Sequence, residues 1–422
     1  MKGLSVRVIH QMATVRRRVV MVGVLMTTMM AATGTSAEAD PVSDLLAQAQ
    51  RILATASLGE PLKVVVTSRT TDAPSITTAI AGSATGALKL ITSALKDPST
   101  IGVDMVHTVR MAATNDTFRS RQWALKRFGA EKVWKKSTGR GVLVAVIDTG
   151  VRAGHPDLRG RVVKGKDFVR PGTSAQDENG HGTHVAGVIA AVANNKRGIA
   201  GLAHSARILP VRVLDATGEG SSDDVAKGII WAVDAGADVI NLSLGSSRAD
   251  TAQEEAIAYA VSKNVVVVAA AGNEGCRRGG GLLGGSLLDL GGPDGSFPAE
   301  YPRVLGVGAI NPDGTMADYS NCGSYVDVVA PGTNIISTVS SRPDPSLGCQ
   351  GASGYCYLSG TSMATSYVSA AAALKIQQLG KGWKQIRVRG LIQDTASDIG
   401  ASGRDDLSGH GILHPSRLLA RR

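Results

Sequence analysis

The sequence predicts an α/β chain: a mainly parallel, twisted sheet with helices on both faces, preceded by a small α+β unit. Three observations carry that expectation. Apolar, β-branched runs recur at residues 142–147, 208–213, 239–244, 265–271 and 304–310. Each is continuously apolar rather than alternating, as a strand buried on both faces must be, and such strands belong to parallel sheets covered by helices. Helical segments fall between them, at 184–193, 223–235, 252–263 and from Met363 onward. The third observation is compositional: 51 glycines and only 4% aromatic residues point to tight turns and close strand–helix packing. At 422 residues the chain is too long for one small domain, yet one large α/β domain fills most of it.

Taken in order, residues 1–39 have the pattern of a secretory signal peptide. Lys2, Arg7, Arg16, Arg17 and Arg18 lead into the apolar run 19–30, and Ala37-Glu38-Ala39 offers a small-x-small cleavage site. The run is short for a membrane span, and no second long apolar segment occurs after it. A released protein with no stable membrane partner is therefore expected, with a retained N-terminal anchor as the alternative. Residues 40–113 differ in pattern from the remainder of the chain. Runs at 62–66 and 76–80 are β-rich, 84–95 has the spacing of an amphipathic helix, and 101–109 closes with a strand. That is a small β-β-α-β unit. Residues 114–422 carry the alternating strand–helix pattern and no internal repeat. Within them, 279–295 is dense in glycine and reads as a surface loop.

The net charge of +10 raises the question of a nucleic-acid or anionic partner. Five of the cations are those of the N-terminal segment. From residue 114 onward there are 34 Lys and Arg against 28 Asp and Glu, a balance of +6 with no basic block. A solvated surface is the better reading, and no nucleic-acid partner is expected. All four cysteines (Cys276, Cys322, Cys349, Cys356) lie in one late stretch, and export would favour disulfides. Three pairings are open. Cys349–Cys356 is favoured because it staples a short Gly-rich loop, which leaves Cys276–Cys322.

The chemistry sits in Gly-marked motifs. Asp148-Thr149-Gly150 ends the run 142–147, His181-Gly182-Thr183-His184 opens a helical segment, and Ser362 lies in Gly360-Thr361-Ser362-Met363-Ala364-Thr365. A fourth, Ala271-Gly272-Asn273-Glu274-Gly275, comes after the run 265–270. In an open parallel sheet, carboxyl strand ends and helix N-termini share one edge, so residues distant in sequence converge there. Taken singly, Asp-Thr-Gly is a common turn and Gly-Thr-Ser a common helix cap. His181 and His184, three apart, invite a metal reading. No glutamate lies between them as in the His-Glu-x-x-His metalloproteases, and no third ligand is evident.

Asp, then His, then Ser, in that chain order and in these contexts, resembles the subtilisin-like serine proteases, the subtilases. The resemblance covers about 114–422. It implies a serine endopeptidase acting on protein or peptide substrates, without a catalytic cofactor and as a monomer. Ser362 would attack the scissile carbonyl, His181 would move the proton, and Asp148 would hold the imidazole. Asn273 would be the side-chain donor to the oxyanion, beside the backbone N–H of Ser362. Losing one such donor typically costs roughly 3–4 kcal/mol of barrier. Substrate would add as a strand along Gly218-Glu219-Gly220 and Ser243-Leu244-Gly245. Ser296 falls where many family members have Gly at the base of the main specificity pocket, which would shorten that pocket. Residues 40–113 resemble a subtilase propeptide, a folding template and temporary inhibitor. Asp116, Asp157 and Asn195 match positions that hold a structural Ca²⁺ in many subtilases, with loop carbonyls around 192–199.

Two departures stand out. Ser366-Tyr367 replaces the usual Pro-His after Thr365, which is expected to loosen that helical turn. The glycine-dense insertion after Cys276 puts specificity in doubt. Two rival functions stay in view: a dedicated processing or peptide-joining enzyme with one cognate substrate, and an inert binding protein on the same fold.

Overall fold

The computed structural model describes residues 41–54, 62–68, 75–105, 114–276, 296–341, 343–349 and 354–421. The signal-peptide pattern, the glycine-dense segment 279–295 and positions 106–109 of the strand expected at 101–109 lie outside them. The chain divides into two compact units, 1–110 and 111–422.

The first unit contains α1 (Pro41–Ala54), β1 (Leu62–Ser68), β2 (Ser75–Ala81), α2 (Ala84–Leu95) and β3 (Thr100–Met105). Its strands form an antiparallel sheet in the order β2-β1-β3. Ala49 of α1 and Ala87 and Ile91 of α2 share a core with Val64 and Val103 of the sheet. The Ser83 hydroxyl caps α2, accepting the Gly86 N–H at 3.1 Å. The order is thus α-β-β-α-β, one helix more than the sequence pattern suggested. That first helix has Leu45, Ala49, Ile52 and Leu53 at helical spacing, an apolar stripe that the sequence reading passed over.

The second unit begins with two short helices, α3 (Trp123–Phe128) and α4 (Ala130–Trp134), joined at Gly129. Next come β4 (Leu143–Asp148), β5 (Lys166–Asp167), α5 (His181–Ala190), β6 (Arg207–Arg212), α6 (Ser222–Asp234), β7 (Val239–Leu242), α7 (Thr251–Ser262), β8 (Val266–Ala270) and β9 (Leu305–Ile310). The chain closes with β10 (Val326–Pro331), β11 (Ile335–Thr338), β12 (Tyr355–Leu358), α8 (Thr361–Leu379), α9 (Gln385–Asp394) and α10 (Pro415–Leu418). Seven strands form one parallel sheet in the order β10-β9-β8-β7-β4-β6-β5. β11 and β12 pair antiparallel beside it.

The continuous apolarity of the central strands has a direct cause. Along β4, Val144 and Val146 enter the core shared with α5 and α8, whereas Ala145 and Ile147 enter the core shared with α6 and α7. Every position needs an apolar side chain because each face is covered. Of the seven strands, the sequence pattern found five. β5 is only two residues long, and β10 (VDVVAP) is interrupted by Asp327.

Helix α8 is buried from Thr361 to Ile376, with small Ala and Ser residues on all sides. Ser366, expected to loosen its first turn, does not break it. Its hydroxyl donates to the Ser362 carbonyl at 2.8 Å and the helix continues to Leu379. Among the described residues no helix is long and apolar enough to cross a membrane. The disulfides are Cys276–Cys322 and Cys349–Cys356.

Candidate active site

Asp148 is the last residue of β4, the first residue of α5 is His181, and Ser362 is the second residue of α8. All three lie at the edge formed by carboxyl strand ends and helix N-termini. The Asp148 side chain is fully buried, whereas that of His181 is 19% exposed. His181 Nδ1 lies 2.8 Å from Asp148 Oδ1 and 3.0 Å from Oδ2. The Thr149 N–H adds a donor to Oδ1 at 2.7 Å. This close approach needs Gly182, since a Cβ there would collide with the Gly150 carbonyl oxygen and press on Asp148.

Helix α5 begins three residues before the expected 184, because an acidic side chain upstream organises its N-terminus. Asp177 is 4% exposed and accepts the N–H groups of Asn179, Gly180 and Thr183 at 3.0, 2.8 and 2.9 Å. The hydroxyls of Thr149 and Thr183 donate to it as well. Free N–H groups of a helical first turn thus find a carboxylate, which also suits the helix dipole. Asp177 was not singled out from sequence, since it lies four residues before His181 rather than at the N-cap position, which is Gly180.

Burial by itself pushes the His181 imidazole down. The charge and hydrogen bond of Asp148 outweigh it, with Asp177 adding to them, and the pKa stands above its ordinary value. His184 behaves oppositely: burial drives it down to about 3. Its Nε2 donates to the carbonyls of Ile335 and Cys356 at 3.0 and 3.2 Å, so it is held in the packed interior.

Ser362 is 8% exposed, and its hydroxyl donates to the Ser243 carbonyl at 3.2 Å. Among the described residues it makes no hydrogen bond to His181, a separation common where a site holds no substrate. A buried polar chain runs beneath it. Ser369 donates to Asn241 at 2.8 Å, Asn241 to the Ser243 hydroxyl at 2.9 Å, and that hydroxyl to the Ser362 carbonyl at 3.1 Å. β7 and α8 are thereby registered at the serine. Asn241 and Ser369 gave no sequence signal, because isolated polar residues in apolar runs reveal no partner.

Asn273 projects from the loop after β8 and is exposed. Its Oδ1 accepts the N–H of Thr361 at 2.8 Å and the Thr361 hydroxyl at 3.1 Å. With the oxygen so held, the amide NH₂ has no acceptor among the described residues, and it lines the same cavity as Ser362. These residues line one cavity of about 490 Å³ with Ser296, Ser243, Leu244 and Gly245. Ser296 is 7% exposed. A second groove of about 560 Å³ holds His181, Gly218, Glu219 and Gly220, and shares Ser243, Leu244 and Gly245 with the first. The arrangement brings a hydroxyl, an imidazole paired to a buried carboxylate and an amide donor to one cleft. That set has the chemistry for acyl transfer.

The candidate calcium residues also meet. Asp116 accepts the N–H groups of Asn194 and Asn195, each at 3.1 Å. Asp157 accepts the Asn195 side-chain amide at 2.8 Å, the Ile199 N–H at 2.8 Å and the Tyr355 hydroxyl at 3.0 Å. Asn195 turns its NH₂ toward Asp157, and its Oδ1 accepts the Arg197 N–H at 2.8 Å. Asp116 and Asp157 are 5% and 0% exposed, and among the described residues neither has a cation in ion-pair contact. Two buried carboxylates without a counter-charge fit a hard cation.

A family model described as the subtilase family matches residues 139–411. The thermophilic serine proteinase of Bacillus sp. (strain AK1) is 43% identical over 292 residues, covering 68% of this chain and 65% of that protein. Thermitase of Thermoactinomyces vulgaris is 41% identical over 286 residues, covering 68% of this chain and 92% of that one. A solved structure described as proteases from Pseudoalteromonas arctica PAMC 21717 aligns with a TM-score of 0.62 at 31% identity. It covers 73% of this chain and 99% of its own.

Proposed function

The chain belongs to the subtilase family of serine proteases, and we propose that it is a secreted endopeptidase using Asp148, His181 and Ser362 through an acyl-enzyme intermediate. The carrying observation is the pairing of the His181 imidazole with the buried Asp148 carboxylate, in the same cleft as the Ser362 hydroxyl. With a peptide in place, Ser362 would turn from the Ser243 carbonyl toward His181 Nε2. Asp148, accepting from Nδ1–H, would leave Nε2 as the proton acceptor. Ser362 Oγ would then attack the carbonyl carbon. The developing oxyanion would take the Asn273 amide and the Ser362 N–H, and His181 would return the proton to the leaving amine. Water would repeat the sequence in reverse to release the acid. Residues 218–220 and 243–245 would flank the substrate as neighbouring strands, with Ser296 limiting the depth of the pocket for the residue before the scissile bond.

Export rests on the pattern of residues 1–39 and is consistent with the two disulfides. Residues 40–113 would be a propeptide that inhibits until it is cut. In its favour, Ile76 and Ile80 of β2 stand 70% exposed, an apolar surface that suits covering by another protein face. Asp116, Asp157 and Asn195, with nearby loop carbonyls, would hold a structural Ca²⁺ that neutralises the buried carboxylates. It would supply rigidity and no chemistry. The mature chain would act as a monomer on protein substrates.

The test is N-terminal sequencing of secreted Ser362→Ala made in a host lacking other proteases. The account expects a signal-cleaved precursor that still carries residues 40–113, convertible by a trace of active enzyme. A chain beginning near residue 114 would refute self-processing. Broad cleavage of casein by the wild type favours a general endopeptidase over a dedicated processing enzyme.

A further inference from the structure

We propose that Asn321 is a positioning residue for Asn273, acting through Glu274, with the Cys276–Cys322 disulfide as its anchor. This rests on the proposed role of Asn273 as oxyanion donor. The loop that carries Asn273 is exposed on a cleft wall, so its alignment needs a cause. Thr361 fixes the side-chain oxygen from one side. From the other side the buried residue Asn321 makes several of the bonds that hold the loop.

Asn321 is 3% exposed. Its backbone N–H donates to the Gly272 carbonyl at 3.1 Å, and its side-chain oxygen accepts the Glu274 N–H at 2.8 Å. Its side-chain NH₂ donates to Glu274 Oε2 at 2.6 Å, and that same carboxylate oxygen accepts the Asn273 N–H at 3.0 Å. Asn321 therefore grips the residues on both sides of Asn273 and orients the group that holds the Asn273 backbone. The contact is close enough that a Cβ on Gly272, which has φ +104°, would collide with the Asn321 amide. The next residue, Cys322, is bonded to Cys276, and the Gly275 N–H donates to the Tyr319 carbonyl at 2.9 Å.

An exposed glutamate left to itself samples several rotamers, and ordering it costs entropy. A buried amide that donates to the carboxylate and accepts from the same residue's N–H selects one of them, by a charge-assisted bond stronger than a neutral one. Oxyanion donors act only within about 2.7–3.1 Å of the developing charge, and a misplacement of about 1 Å can reduce rate by roughly a hundredfold. Loosening this clamp, with Thr361 still in place, should therefore lower kcat by about tenfold. KM should hardly move, since the donor engages mainly in the transition state.

A double-mutant cycle on one peptide substrate tests this, with active enzyme counted by titration of the nucleophile. Asn321→Ala should lower kcat by about tenfold, with KM within about twofold. In an Asn273→Ala background the same substitution should change kcat by less than about twofold, because the residue it positions is gone. Glu274→Gln, which keeps the shape, should show a smaller loss that also vanishes in that background, and it carries the test should Asn321→Ala not fold. A full loss persisting without Asn273, or an effect confined to KM, overturns the proposal alone. Near-normal turnover of Asn273→Ala overturns the oxyanion role, and this proposal with it.

Discussion

His181 Nδ1 faces both carboxylate oxygens of Asp148, at 2.8 and 3.0 Å, and this contact sets where the imidazole titrates. Burial alone would lower the pKa. The Asp148 charge and hydrogen bond, with the Asp177 charge behind them, reverse the sign. His181 must be neutral to accept the serine proton. Activity should therefore rise with pH through a midpoint above the ordinary histidine value of about 6.5. In Asp148→Asn the charge is lost and burial remains, so the His181 titration followed by NMR should fall below about 6.5. A wild-type acid limb of kcat/KM at or below that value would contradict the account. The stability linkage runs the opposite way with pH. A raised folded-state pKa contributes stability that is fully present below about 6.5 and is lost as pH rises through the folded value.

The pocket prediction turns on Ser296, which is 7% exposed in the cavity beside Ser362. Small or medium apolar residues should be preferred before the scissile bond over large aromatics. One extra group in an apolar pocket is worth about 1–3 kcal/mol, so the preference should be modest. A peptide-library profile dominated by Phe and Tyr, or by Arg and Lys, would count against it.

How legible the site was depends on the reach of each interaction. Asp148, His181, Ser362 and Asn273 were readable because each sits in a short glycine-flanked motif at a strand end or helix start, where local backbone needs leave a mark. Their partners were not. Asp177 acts through the N–H groups of a helix whose start was placed at 184, so its cap went unseen. Asn321 reaches Gly272 and Glu274 across 47–49 positions of chain, and only loop packing joins them. Asn241 and Ser369 find each other across 128 positions. In the fold, strands covered on both faces were evident from continuous apolarity. The two-residue β5 and the Asp-interrupted β10 gave no such run.

Calcium should reveal itself in stability. Without the ion at the proposed Asp116, Asp157 and Asn195 site, two buried carboxylates would lack a cation. At a hundredfold excess of Ca²⁺ over its Kd the stabilisation is about 2.7 kcal/mol, which corresponds to several degrees in Tm. Chelation should lower the Tm by that amount, and Asp157→Asn should abolish the response. Identical melting of the wild type with calcium and with chelator would remove the ion from the account.

The measurement that bears most directly on the mechanism is labelling with a serine-directed phosphonate, followed by peptide mapping of the adduct. Ser362 is one of many serines, 8% exposed, and in the proposed mechanism activation by His181 is what would make it a nucleophile. The account predicts a single adduct on Ser362, formed in step with loss of proteolysis and suppressed in His181→Ala at equal exposure. An adduct at another serine that tracks the loss of activity, or full proteolysis by a protein quantitatively modified at Ser362, would contradict it.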